Sequence, residues 1–288
     1  MWQRGVWLAV VVGVLFGMFE TGRTQETDEI EAHATVTVAV ARSRSVREYS
    51  GTPSFPMLLD AFTSRLKANL AREGVMLELV ESDDLVNLRA HLSTNDSRPR
   101  ISLYVDPASE PNLTGLSPLP QEPISFSSAL DSATASDIAT ALAFYTLERC
   151  DLAAPYFERV RQASVRYADV SLAFLRANCA LLAGDFDAAA TTYEHLATTP
   201  RISDLVQLNS AVNLAWARLQ TGDVDAGLEP LNRIIERFKA SSLIDYRTPF
   251  LIQARSQINA LAFRYDDAIA DMDEAIAYAE TLPAQSTE

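Results

Sequence analysis

The chain has 288 residues, 48% of them hydrophobic and 22% charged, a length and balance that suit about two folded domains and exclude a low-complexity polymer. A formal net charge of −14 argues against nucleic acid or an anionic lipid surface as partner, since both demand a positive face. Two cysteines, Cys150 and Cys179, are too few for a disulfide-dense scaffold and lack metal-finger spacing.

Gly5 to Phe19 is an uncharged apolar run preceded by Arg4 and followed by Glu20, Glu26, Asp28, Glu29 and Glu31. Positive before and acidic after orients the amino terminus to the cytoplasm and the rest across the membrane. Residues 1–19 therefore read as a membrane or export helix. With no small-x-small cleavage site after the run, an uncleaved signal-anchor is the first reading, with Trp2 and Trp7 near one interface; a removed signal peptide is the alternative, because the run spans only about 22 Å as a helix. Gly13 and Gly17 form a GxxxG, incidental in most short export segments. Residues 20–33 are acidic and aperiodic, a tether.

Residues 34–106 change character. Thr35 to Val40 alternates with period two and predicts a strand. Pro56 begins a predicted helix with Leu58, Phe62, Leu66 and Leu70 four apart, ending at Gly74. Val75 to Val80 predicts a second strand, Ser82 the cap of a short helix carrying Leu85, Leu88 and Leu92, and Ile101 to Val105 a third strand. The expected unit is a small βαβαβ domain with parallel strands. It loosely resembles the amino-terminal α/β domains of exported bacterial envelope proteins, in element order alone. Residues 107–133 hold five of the thirteen prolines and read as a semi-extended linker that keeps two domains apart.

From 134 to 283 one pattern recurs four times. Gly184-Asp185-Phe186-Asp187-Ala188-Ala189 follows an apolar segment, and Ala189, Tyr193 and Leu196 then share one helix face. Equivalents are Cys150 to Ala153 with Phe157 and Val160, Gly222 to Gly227 with Leu231 and Ile234, and Tyr265 to Ala268 with Met272 and Ala275. The anchors Ala153, Ala189, Gly227 and Ala268 lie 36, 38 and 41 positions apart, a period typical of stacked helical hairpins that share one core. Pro200, Pro249 and Pro283 fall near unit edges, where a helix should stop, and Pro155 and Pro230 early in second helices, where a proline is tolerated or kinks slightly.

This pattern resembles the tetratricopeptide repeat (TPR) family: a small residue in the second helix, a large apolar one four on, a small or apolar one three beyond. The resemblance implies a mostly α protein, an α-helical TPR solenoid of about four helix-turn-helix units over 134–283 with a tail at 284–288. It also implies a concave groove lined by each unit's first helix. In that register the peptide-binding groove positions are Tyr145, Phe174, Asn178, Asn209, Val212, Trp216, Gln253 and Gln257. Asn178 stands where the family often has an asparagine that bonds a bound peptide backbone, and amides suit this because they both donate and accept. Phe174 and Trp216 would anchor such an interface, or else pack between helices. The family's carboxylate-clamp lysines have no counterpart, the only lysines being Lys67 and Lys239.

Enzyme signatures are missing: no GxGxxG, phosphate loop, HExxH or GxSxG. His33, His91 and His195 share no motif. Asp267, Asp271 and Glu274 lie on one predicted helix face that would suit a cation, but an acidic face at a solenoid end is more simply a solvated cap. Asn95-Asp96-Ser97 and Asn112-Leu113-Thr114 match a glycosylation pattern that matters only in a eukaryotic secretory route. Cys150 and Cys179 read first as two small buried residues, with a bridge the alternative.

The sequence thus predicts a non-enzymatic envelope protein without cofactor or metal, held at the membrane through residues 5–19 with its globular part outside. Its partner would be a protein segment in the groove, as for a scaffold or assembly factor; a homo-oligomer is possible, through the GxxxG spacing, but not indicated. A second reading makes the βαβαβ domain the binding module, sensing a ligand or wall component.

Overall fold

A computed structural model describes residues 34–42, 55–80, 87–95, 98–105, 113–114, 125–128, 132–162, 169–200, 202–241 and 246–282. The predicted anchor and tether at 1–33, most of the 107–133 segment and the 284–288 tail lie outside these residues.

Strand β1 (Thr35–Arg42) is followed by helix α1 (Phe55–Ala71) and strand β2 (Met76–Val80). β1 and β2 are parallel, with Thr35 opposite Met76, so the helix serves as the crossover that parallel strands require. Phe62, Leu66 and Leu70, spaced along one face of α1, are fully buried against Val36, Val38, Leu88 and Leu103; each such side chain contributes about 1.5–3 kcal/mol of transfer free energy.

The next element departs from expectation. Leu88–Asn95 is strand β3, parallel to β1 on its other side with Val38 opposite Leu88, where a short helix through Leu88 and Leu92 was predicted. The segment Leu88-Arg89-Ala90-His91-Leu92-Ser93 also alternates with period two, and Leu88 and Ala90 are both buried. Leucines four apart fit either period, and pairing with β1, a contact made at long range, decided between them. Strand β4 (Arg98–Val105) then turns back antiparallel to β3, with Asn95 opposite Arg98 and only Asp96-Ser97 between them. Strand β5 (Ser125–Ser128) pairs antiparallel with β4. The sheet is five-stranded and mixed, in the order β2-β1-β3-β4-β5, which replaces the expected βαβαβ unit of parallel strands.

Eight further helices form four antiparallel hairpins: α2 (Ser132–Thr146) with α3 (Cys150–Gln162), α4 (Asp169–Leu182) with α5 (Phe186–Thr198), α6 (Asp204–Thr221) with α7 (Val224–Lys239), and α8 (Thr248–Leu261) with α9 (Tyr265–Thr281). Each hairpin packs on the next in chain order. Pro249 lies at the second position of α8, starting that helix where a unit edge was predicted; a fixed φ and a missing N–H suit a first turn.

The four turns share one closure. Glu148, Gly184, Gly222 and Phe263 have φ of 57°, 77°, 84° and 62°. Each donates its N–H three residues back, and the following residue donates five back, as Gly184 does to Leu181 and Asp185 to Ala180. This is the Schellman stop, which uses the left-handed conformation to satisfy carbonyls orphaned at a helix end. Gly74 closes α1 in the same way, bonding Ala71 while Val75 bonds Leu70.

The predicted anchors sit at the hairpin crossings: Ala153 and Ala189 are fully buried, Ala268 nearly so. At Gly227 a Cβ would stand 2.8 Å from Arg218 Cβ and 2.9 Å from Ala215 Cα, so α6 and α7 approach too closely for any side chain there.

The predicted separation into two domains is not what the packing shows. Ile138, Leu142, Phe144 and Tyr145 on α2 belong to one continuous core with Val36, Phe62 and Leu103 of the sheet region and with Phe157 and Leu175 of the first hairpins. Ser136 Oγ donates to the Phe62 carbonyl at 3.1 Å, and Asn69 Nδ2 donates to Thr140 Oγ1 at 3.0 Å. Asp137, buried in the same joint, accepts from Arg159 Nε at 3.2 Å and lies 4.0 Å from Arg65. A helix apolar almost all round must be covered on all sides, and α2 is covered by α1 on one flank and α3 on the other.

Candidate functional site: the first helices of the hairpins

The groove positions predicted from the sequence divide into two groups. Tyr145, Asn178 and Val212 are buried and cannot face a bound peptide. Asn178 Nδ2 donates to the Tyr145 hydroxyl at 2.7 Å, and the Tyr193 hydroxyl donates to Asn178 Oδ1 at 2.7 Å. The amide thus joins α2, α4 and α5 inside the core. A buried amide needs partners for both ends, and two tyrosines supply them here; this replaces the expected contact with a peptide backbone. Burial pushes the Tyr193 phenol well above its ordinary pKa, the nearby Tyr145 adding to the rise and a hydrogen bond from Asn213 opposing it.

Phe174, Asn209, Trp216, Gln253 and Gln257 are half-exposed. Phe174 meets Tyr193 edge-on, ring centroids 6.0 Å apart. Trp216 packs against two clusters, one around Leu208 and Ile234, the other around Tyr193 and Leu214. Both aromatics therefore combine an interior contact with an accessible edge. Asn213 was missed by the sequence reading. It is half-exposed and follows Asn209 by four and precedes Trp216 by three, so the three share one face of α6; that spacing was legible. Gln253 and Gln257 are likewise one turn apart on α8, which packs on α6. Each of these amides carries both donors and an acceptor, the chemistry that recognition of a peptide main chain uses.

Two further features bear on chemistry. Cys150 and Cys179 form a disulfide with Cα atoms 5.4 Å apart, joining the start of α3 to α4. Beside it lies a cavity of about 280 Å³ lined by Cys150, Ala154, Phe157, Glu158, Arg176 and Cys179. Hydrogen bonds from Arg161 and Gln162 hold the Glu158 carboxyl down at about 2, with Arg176 contributing through its charge, so this wall is an anion at all physiological pH.

The acidic face weighed as a cation site is otherwise engaged. Arg255 donates to Asp271 Oδ1 at 2.6 Å and to Glu274 Oε2 at 2.9 Å, and Asn259 Nδ2 donates to Asp271 Oδ2 at 2.9 Å. Lys239 also pairs with Glu274. These carboxylates are counter-ions to a half-buried guanidinium and an ammonium group. His195 is exposed on α5, His91 lies in β3, and His33 is outside the described residues. Among the described residues no helix is long and apolar enough to cross a membrane.

Comparisons with family models, curated proteins and solved structures find no match to this chain. The residues themselves carry the functional reading.

Proposed function

We propose that the chain is an exported, non-enzymatic scaffold of the TPR type that holds a segment of a partner protein along the first helices of its hairpins. The observation that carries this reading is the half-exposed strip of Asn209, Asn213 and Trp216 on α6 beside Gln253 and Gln257 on α8. Stacked hairpins hold such a strip preformed, so binding costs the receptor little reorganisation. A disulfide is in keeping with the oxidising side of a membrane, and the charge pattern around residues 5–19 supports delivery there with the amino terminus left inside.

The reading is tested by a photo-crosslinking residue placed in the full chain at Asn209 or Gln253, with Arg233, exposed on α7, as the control position. A partner captured from both strip positions and not from Arg233 supports it. Capture from Arg233 alone, or equally from all three, sinks it.

The alternative, in which residues 34–106 are the binding module, cannot be tested on that fragment alone. Phe62, Leu66 and Leu70 share their core with α2, so excision would uncover them.

A further inference from the structure

The last helix ends the described stack with an apolar seam left open. On α9, Tyr265, Ile269, Met272, Ile276 and Ala279 follow one another at alternating steps of four and three, the spacing of a two-stranded coiled coil. Tyr265, Ile269 and Ile276 are 58%, 62% and 52% exposed, whereas α3, α5 and α7 are each covered by the following hairpin. One flank of the seam is Ala268 and Ala275, buried in the hairpin. The other flank is Asp266, Asp273 and Glu280, all exposed and none in an ion pair among the described residues. α9 itself carries no lysine or arginine.

A second, independent observation lies at the turn before α9. Phe263 occupies the left-handed closing position, φ 62°, that glycine fills in the two preceding hairpins. It is 78% exposed and touches Tyr265 edge-on, ring centroids 6.2 Å apart. A bulky residue is disfavoured in that conformation and gains no burial here in exchange, the pattern expected where strain is kept for a contact made with something else.

We propose that the outer seam of α9, extended by Phe263, docks a basic amphipathic helix of a partner protein as a two-stranded coiled coil. Apolar residues of the partner would cover Ile269 and Ile276, and its arginines or lysines would meet Asp266, Asp273 and Glu280, the flank that sets partner choice in such pairs. The charges favour this occupant over a second copy. Antiparallel self-pairing sets the acidic flank against itself; parallel self-pairing sets it against Ala268 and Ala275, and neither supplies a cation.

The full chain is titrated with a helical peptide of about three heptads bearing leucine at the seam and arginine on the flanks, and with the same peptide bearing glutamate there. The arginine peptide binds and weakens with rising salt; the glutamate peptide does not bind. Ile269→Ser with Ile276→Ser, both exposed and so compatible with folding, lowers affinity by about tenfold or more. Asp266→Asn, Asp273→Asn and Glu280→Gln together flatten the salt dependence. Phe263→Gly raises the melting temperature yet weakens binding, which a merely structural turn residue would not do. Changing Asn209 and Gln253 leaves peptide affinity unaltered. The proposal is overturned if neither peptide binds, if both bind equally, if the double serine variant binds as the parent does, or if sedimentation shows self-association that the serine variant abolishes, which would give the seam to a second copy.

Discussion

Asn178 on α4 donates to the hydroxyl of Tyr145 on α2 at 2.7 Å, across the boundary between the first two hairpins. With the Tyr193 hydroxyl on its other end, the amide is satisfied without water. Replacing it by leucine removes the bond that each of two buried hydroxyls makes to the amide, each worth about 1–3 kcal/mol. Asn178→Leu should therefore cost about 2–4 kcal/mol in urea unfolding, with strong non-additivity against Tyr145→Phe. A loss below about 0.5 kcal/mol, within the range of a neutral surface change, would remove the amide from the joint.

The raised pKa of Tyr193 has a definite sign. The neutral phenol is favoured by the folded state, so this stabilisation is complete below the unfolded value near 10 and is lost as pH climbs through the folded value. Unfolding free energy measured from pH 8 to above 11 should fall on the alkaline side, and more steeply in the parent than in Tyr193→Phe. Equal slopes would show that the hydroxyl ionises as readily in the fold as outside it.

The bond between Cys150 and Cys179 closes a loop with a sequence separation of 29. Restricting the unfolded chain to that extent is worth about 3–4 kcal/mol. Reductant, or the Cys150→Ser/Cys179→Ser pair, should lower stability by about that amount while leaving helical circular dichroism at low temperature intact. Free-thiol titration of the native chain should find none until it is denatured and reduced.

Gly227 sits at a crossing with no room for a methyl group. Because a Cβ would meet the Ala215 backbone at 2.9 Å, Gly227→Ala should destabilise by about 1–3 kcal/mol through overpacking, although alanine is the better helix former. The anchors Ala153, Ala189 and Ala268 show that the other crossings hold a methyl group. Thermal melts of the variant that match or exceed the parent would mean α6 and α7 can part without cost.

The sheet and the first hairpins should unfold as one. Their core is continuous through α2, and Asp137 ties α2 to Arg159 on α3. Hydrogen exchange should give amides of β1 and α2 the same global opening free energy. Early exchange of β1 alone would restore the two-domain picture.

Much of the hairpin stack was legible because its signal is local. Small anchors, apolar residues at helical spacing and turn glycines recur within about forty residues, so Ala189, Tyr193 and Leu196 announced a buried face that the structure also gives them. The strand at Leu88–Asn95 was not legible, because leucines four apart serve either period until a neighbour is chosen. The strip on α6 and α8 was half legible. Asn209 and Trp216 were found, while Asn178, one hairpin earlier in the same register, lies buried between two tyrosines.

By itself, the sequence determined the elements whose signals lie within a few turns of chain: β1, α1, β2, the Ile101 to Val105 part of β4 and the four hairpins with their crossing points. It also set the acidic balance and the charge asymmetry about residues 5–19. Tertiary structure alone decided the mixed sheet, the continuous core through α2, the disulfide and which polar side chains stay accessible. The physical reason is that burial and pairing at long range depend on which surface arrives opposite. An asparagine, a leucine or a cysteine carries no mark of its partner until the chain has brought one to it.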